Sequence, residues 1–189
     1  YGGFVFKTLA QVEPKLYART LTINGLSKAY SMTGWRIGYA GGDKALINAM
    51  SDIQSQSTSN PNSIAQAAGV EALNGTQGFL KEWVGEFKKR RDIVVKMLND
   101  IPGMKCATPE GAFYVFPSCQ GVIGKKTPAG KTLSDSYAVC EYLLDEALVA
   151  AVAGSAFGMD GYFRISYATS EKLLVEACNR VKAACAKLS

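Results

Sequence analysis

Between two β-like runs the chain carries Asn24-Gly-Leu-Ser-Lys28-Ala-Tyr-Ser-Met-Thr-Gly-Trp-Arg36-Ile-Gly-Tyr39, and this stretch restricts the fold more than any other. Leu21–Asn24 reads as the end of one strand and Arg36–Ala40 as the start of the next, because β-branched and aromatic residues recur there while glycines break the connection. Lys28 and Arg36, eight positions apart, then stand on a short crossover and at a strand start, among small, apolar and hydroxyl residues. Two readings fit such a pair: solvated loop cations, or cations facing a ligand at the sheet edge.

The rest of the chain divides by texture. Tyr1–Lys7 alternates aromatic and small residues, as a strand or strand exit does, and Thr8–Arg19, with Pro14, reads as a loop with a short helical turn. Asp43 is placed to cap a helix to about Ser55, whose Ala45, Leu46, Ala49, Met50 and Ile53 have the spacing to cover a sheet face. Thr58-Ser59-Asn60-Pro61-Asn62 is a linker by composition, and a second helix over about Ser63–Leu73 stops at Asn74-Gly75. Thr76 is placed to open a helix to about Asp100 with Phe79, Leu80, Trp83, Val84, Phe87, Val94 and Leu98 on one stripe, the pattern of core packing. About 25 helical residues span roughly 38 Å, enough to join two domains. After Pro102, short β-like runs at Met104–Ala107, Phe113–Phe116, Leu148–Val152 and Phe163–Tyr167 mix with helical patterns at Ser134–Ala147 and Ser170–Leu188, the order of an α+β unit. The domain boundary is expected at the long helix.

Composition excludes several functions. The 189 residues, 48% hydrophobic, suffice for one good core or a domain and a half. The net charge of +5 is a mild basic excess, and its one dense cluster, Lys88-Lys89-Arg90-Arg91, falls in a helical pattern and reads as a solvated face rather than a nucleic-acid interface. Cys106, Cys119, Cys140, Cys178 and Cys185 form no C-x-x-C pair and are odd in number, which favours a reduced, cytoplasmic compartment. Histidine is absent, so triads and metal sites that need imidazole are excluded from this portion, and no metal is expected. No run approaches the roughly 18 to 20 apolar residues of a membrane span, and no signal-peptide pattern is found. Gly121–Lys131 reads as an exposed, mobile loop. Its Gly124…Gly130-Lys131-Thr132 has five intervening residues where a phosphate loop needs four. In Gly154-Ser-Ala-Phe-Gly158 the serine is one place off a nucleophile elbow.

The wording Ser27-Lys28-Ala-Tyr-Ser-Met-Thr-Gly-Trp-Arg36-Ile-Gly-Tyr39 resembles the cofactor-lysine signature of the fold-type I, class I/II pyridoxal-phosphate-dependent aminotransferases, most closely their bacterial aspartate aminotransferase branch. The resemblance implies that Lys28 is catalytic and forms the Schiff base with pyridoxal 5'-phosphate, and that Arg36 grips the cofactor phosphate. Chemistry accords with both roles: an amine whose ammonium is disfavoured attacks an aldehyde, and a planar guanidinium matches two phosphate oxygens. Family chains are roughly twice this long, so the sequence is expected to be a C-terminal half. The implied fold is α/β: the C-terminal part of the large cofactor-binding domain over 1–75, an interdomain helix over 76–100, and an α+β small domain over 101–189.

Pro109-Glu-Gly-Ala-Phe-Tyr114, Ala153-Gly-Ser-Ala-Phe-Gly158 and Tyr162-Phe-Arg164-Ile-Ser-Tyr-Ala168 carry the resemblance into the small domain. Arg164 matches the arginine that binds the substrate α-carboxylate. Independently, an arginine inside an apolar strand needs an anionic partner to offset desolvation, either a substrate or a structural carboxylate. Ala153 stands where the family commonly has proline, which is expected to loosen the preceding turn. Ser59-Asn60-Pro61 is either an ordinary turn or the family segment that reaches the neighbouring subunit's site, which implies a homodimer. Ser55 occupies the position where animal-type relatives carry an arginine for the distal substrate carboxylate.

The implied activity is transamination between an amino acid, aspartate by the resemblance, and a 2-oxo acid such as 2-oxoglutarate. Aromatic, prephenate and alanine transaminases and β-eliminating lyases share the scaffold, and a non-catalytic interaction module is the reading outside enzymes. The family's pyridine-nitrogen aspartate, ring-stacking aromatic and phosphate loop fall before Tyr1 by its spacing, so these 189 residues alone are not expected to catalyse transamination.

Overall fold

The computed structural model describes residues 1–189, which divide into two compact units, Gly3–Lys81 and Glu82–Ser189 together with Tyr1–Gly2. None of its helices is long and apolar enough to cross a membrane.

In the unit Gly3–Lys81, two four-residue helices, α1 (Leu9–Val12) and α2 (Pro14–Tyr17), precede an antiparallel pair, β1 (Thr22–Gly25) and β2 (Gly38–Gly41). Tyr1–Lys7 forms no strand, and Phe4, Val5 and Phe6 are exposed, so its alternation has no ladder to serve. The β1–β2 register runs from Thr22 opposite Gly41 to Gly25 opposite Gly38. Gly38 is required there, because a Cβ would stand 2.9 Å from the Asn24 carbonyl oxygen. Helix α3 (Lys44–Ser57) is capped by Asp43, whose carboxylate accepts from the Ala45 and Leu46 N–H groups. Within these 189 residues no residue of α3 is buried, and the sheet of its unit has only two four-residue strands. Helix α4 (Ser63–Asn74) is capped by Asn62 and buries Ala65 and Gly69.

Helix α5 (Gly78–Asn99) has 22 residues, about 33 Å, and the division between the units falls within it. It begins beyond Thr76, because Gln77 turns its amide back to the Ala72 and Gly75 carbonyls. Only the later turns are buried, through Arg91, Val94, Val95 and Leu98, while Trp83 and Val84 of the expected stripe are partly exposed. Lys88 and Lys89 pair at the surface with Asp92 and Glu171, as a solvated face predicts. Arg91 departs from it, being buried with its guanidinium on Asp92, on the Pro109 carbonyl and over the Tyr1 ring.

The unit Glu82–Ser189 with Tyr1–Gly2 is built on a three-stranded antiparallel sheet in the order β3 (Tyr114–Val115), β5 (Phe163–Ser166), β4 (Val152–Ala153). Helices α6 (Ser136–Ala147) and α7 (Glu171–Cys185) pack with it, and Val115, Val139, Leu143, Phe163 and Val181 form a dry centre with α5. Asp135 and Ser170 cap the two helices. Met104–Ala107 is not a strand: the Asn99 side chain takes both the N–H and the C=O of Cys106, leaving a single bridge from Lys105 to Ser118. Nor is Gly121–Lys131 an open loop. Val122 is buried, the Gly124 N–H donates to Leu133 at 2.8 Å, and the Thr127 N–H donates to Lys131 at 2.9 Å, closing a small hairpin.

All five cysteines are buried free thiols, and burial pushes them up, to about 12 for Cys119 and about 11 for Cys106, Cys140, Cys178 and Cys185. Since the thiolate is the reactive form, the native protein should resist an aromatic disulfide reagent near pH 8 and titrate five thiols only after denaturation. Rapid stoichiometric labelling of the native state would contradict this packing. Leu143, which has no exposed surface, should cost about 2–5 kcal/mol when truncated to alanine, read from denaturant midpoints. A third expectation concerns Asp160, whose carboxylate is held well below its usual range by hydrogen bonds from Ser136, Ser155 and the Gly161 N–H. Because folding lowers its pKa, the stability it contributes is present above the ordinary carboxylate range and lost as pH falls below about 4. The melting temperature of Asp160→Asn should therefore approach that of wild type as pH falls, and a gap that widens on acidification would reverse the sign.

Candidate active site

The connection 26–37 is held at both ends by the β1–β2 ladder and in the middle by side chains. Leu26 is fully buried, and a Cβ on Gly69 of α4 would lie 3.0 Å from its Cδ1, so the glycine lets helix and connection meet. The Tyr30 hydroxyl donates to Gln77 Oε1 at 3.0 Å, and its ring meets Phe79 edge-on at 6.3 Å. Between these anchors the backbone turns tightly, with the Tyr30 N–H donating to the Leu26 carbonyl and the Ser31 N–H to that of Lys28. Lys28 thus leaves a turn whose two flanks are fixed, and its side chain is exposed.

Arg36 is not at a strand start. A 3₁₀ turn over Thr33–Trp35 ends on it, and it takes the left-handed conformation with φ 50° and ψ 48°. A residue there cannot continue into a ladder, which is why β2 begins two residues later at Gly38. Its Nη1 donates to the Thr33 carbonyl at 3.0 Å, folding the guanidinium back on the turn. The antiparallel register makes the connection a return between paired strands rather than a crossover. An amine for an aldehyde carbon, a guanidinium for a phosphate and the hydroxyls of Ser27, Ser31 and Thr33 all stand on this one connection, and that donor set fits pyridoxal phosphate.

Arg164 belongs to the other unit. It lies on β5, paired with Val152, and is partly buried. Its guanidinium sits over the Tyr114 ring at 4.5 Å and over the Phe157 ring at 4.7 Å. The ion pairs of the chain join other residues, so the rings, not a structural carboxylate, accompany this cation. A π face attracts the cation without accepting the in-plane N–H bonds that a carboxylate would take. Phe157 also meets Phe116 edge-on at 5.9 Å, and Phe116 stacks on Tyr162 at 5.5 Å. Both ring residues lie in segments quoted above, yet nothing local marked them; strand pairing brings Tyr114 opposite Ser166, two residues from Arg164.

Ala153 adopts φ −58°, the value a proline ring imposes, so the backbone there is the one proline would hold. Ser59 and Asn60 are exposed between α3 and α4, with Ser59 left-handed at φ 65°. Ser55 spends its hydroxyl on the Asp52 carbonyl within α3.

The family model for aminotransferase class I and II matches residues 1–181. An aspartate aminotransferase of Rhizobium meliloti strain 1021 is 60% identical over all 189 residues, which cover 46% of its length. A probable aspartate/prephenate aminotransferase of Rickettsia prowazekii is 56% identical over 185 residues, 98% of this chain and 46% of the relative. The crystal structure of an aspartate aminotransferase from Rhizobium meliloti superposes with a TM-score of 0.97 at 60% identity, covering 100% of this chain and 47% of that one. The chain therefore spans about half the length of the curated relatives it matches. A match over nearly every residue at these identities, on a backbone that superposes throughout, leads to one conclusion: the chain belongs to the class I and II aminotransferase family, whose enzymes depend on pyridoxal phosphate.

Proposed function

We propose that this chain supplies the reactive lysine and a carboxylate-binding arginine of an aminotransferase that exchanges an amino group between aspartate and a 2-oxo acid, with 2-oxoglutarate as the expected acceptor. The observation that carries this reading is the pinned connection 26–37, on which Lys28 and the left-handed Arg36 stand together. Lys28 Nζ would hold the cofactor through its aldehyde carbon, and as a free amine it is the base for the proton on the substrate α-carbon. Arg36 holds the cofactor phosphate, its fork kept in place by the Thr33 carbonyl. When bound, pyridoxal phosphate supplies the electron sink that lets the α-proton leave. Arg164 receives the substrate α-carboxylate on the in-plane donors that the two rings leave unused, which orients the α-proton.

Residues 1–75 then belong to the family's large domain, 76–100 to a joining helix and 101–189 to the small domain; the division of the chain within α5 supports this partition. We assign Ser59 and Asn60 to the partner's site in a homodimer, a role supported by their exposure. Buried free thiols support a reducing, cytoplasmic setting. The similarity to the Rickettsia relative, named a probable aspartate/prephenate aminotransferase, supports prephenate as a second acceptor.

Borohydride reduction of the complete gene product with pyridoxal phosphate, followed by peptide mapping, should place the label on the Lys28 peptide. Lys28→Ala should lose that label and reduce kcat about 10²- to 10⁴-fold, the range for losing a positioned general base. Labelling of another lysine, or near-normal turnover in the variant, would remove Lys28 from the chemistry. A panel of 2-oxoglutarate and prephenate as acceptors decides between the two substrate readings.

A further inference from the structure

Burial does not hold the Phe157 ring over Arg164, since Phe157 is 49% exposed. The ring ends the 3₁₀ turn Gly154–Phe157, and that turn is tied down by a polar cluster for which the proposed chemistry has no use. Asp160 Oδ1 accepts from the Ser155 hydroxyl at 2.8 Å and from the Ser136 N–H at 2.9 Å. Ser136 Oγ lies 2.9 Å from Ser155 Oγ and accepts the Ser155 N–H at 3.3 Å. Ser136 is completely buried at the start of α6, so the cluster fastens the turn to a rigid helix end. Backbone bonds complete the tie, the Gly154 N–H donating to Tyr162 at 2.7 Å and the Met159 N–H to Gly154 at 3.0 Å. Only glycine fits at 154, where a Cβ would lie 2.2 Å from the Met159 carbonyl oxygen.

We propose that Asp160, acting through Ser155 and Ser136, is a positioning residue for substrate binding: it locks the turn 154–157 to the start of α6 and so keeps Phe157 over the Arg164 guanidinium. The inference rests on the reading of Arg164 as the α-carboxylate receptor. With the turn released, the guanidinium loses one of its two ring contacts and samples more rotamers, and each binding event must order it again. The proton transfer assigned to Lys28 does not meet that cost. Once the carboxylate is seated on the re-ordered guanidinium the α-proton is oriented as before, so the loss falls on substrate affinity rather than on turnover.

In the complete gene product, Asp160→Ala should raise KM for aspartate and the Kd of succinate, a non-reacting dicarboxylate measured by calorimetry, by about tenfold while kcat changes less than about twofold. Asp160→Asn, which retains an oxygen acceptor, should recover most of the affinity. Ser155→Ala removes one donor from the cluster and should act in the same direction, so it serves as the test if Asp160→Ala does not fold. A folded Asp160→Ala or Ser155→Ala with unchanged succinate affinity, alongside an Arg164→Lys that binds succinate weakly, overturns the positioning role and leaves the carboxylate reading standing. Wild-type succinate affinity in Arg164→Lys overturns the reading itself. A fall in kcat with KM unchanged also overturns the positioning role.

Discussion

The close approach of two backbones at Gly38 and Asn24 is the constraint on which the proposed lysine site depends. With any side chain at position 38 the strands could not close in this register, and the connection between them would lose its fixed ends. The second pin is again a missing side chain, at Gly69, where α4 comes near enough for Leu26 to be buried. Lys28 therefore projects from a segment ordered by contacts at both flanks, although the residue itself is exposed. A covalent role needs such an arrangement, because an amine on a wandering loop would have to be ordered at every encounter.

The arginine of the other unit shows a different solution to placing a charge. Arg164 has its apolar strand neighbours Phe163 and Ile165 on either side, and its charge is met by ring faces. Aromatic quadrupoles stabilise a guanidinium while leaving its hydrogen-bonding fork unspent. An internal carboxylate would have consumed the fork and made the residue a structural ion pair. The exposed pairs Lys88–Asp92 and Lys89–Glu171 contrast with it, since charges in that setting contribute little to stability and project into solvent.

Helix starts were legible where capping is local. Asp43 accepts from the Ala45 and Leu46 N–H groups, two and three residues on, an interaction wholly contained in the sequence window that suggests it. Reading failed where a distant or reversed contact replaced the local one. The α5 start moved past Thr76 because the Gln77 amide turned back on α4, and Met104–Ala107 lost its ladder to the Asn99 side chain. Gly121–Lys131 looked mobile from its glycine, lysine and proline, yet its hairpin rests on Val122 and Leu133 in the core. Arg36 read as a strand residue because β-branched and aromatic neighbours surround it, and spacing carries no sign of φ.

By itself the sequence determined the family, the mixed helix and sheet class, and which lysine and arginines deserve attention, because the wording around Lys28, Arg36 and Arg164 is continuous along the chain. The tertiary structure alone decided what surrounds them. The Tyr114 and Phe157 rings over Arg164, the left-handed turn at Arg36 and the tie from Asp160 to Ser136 join residues that only strand pairing and helix packing bring together. Periodicity records which face of an element is apolar. It does not record which distant side chain arrives on that face, and that depends on the packing of the whole core.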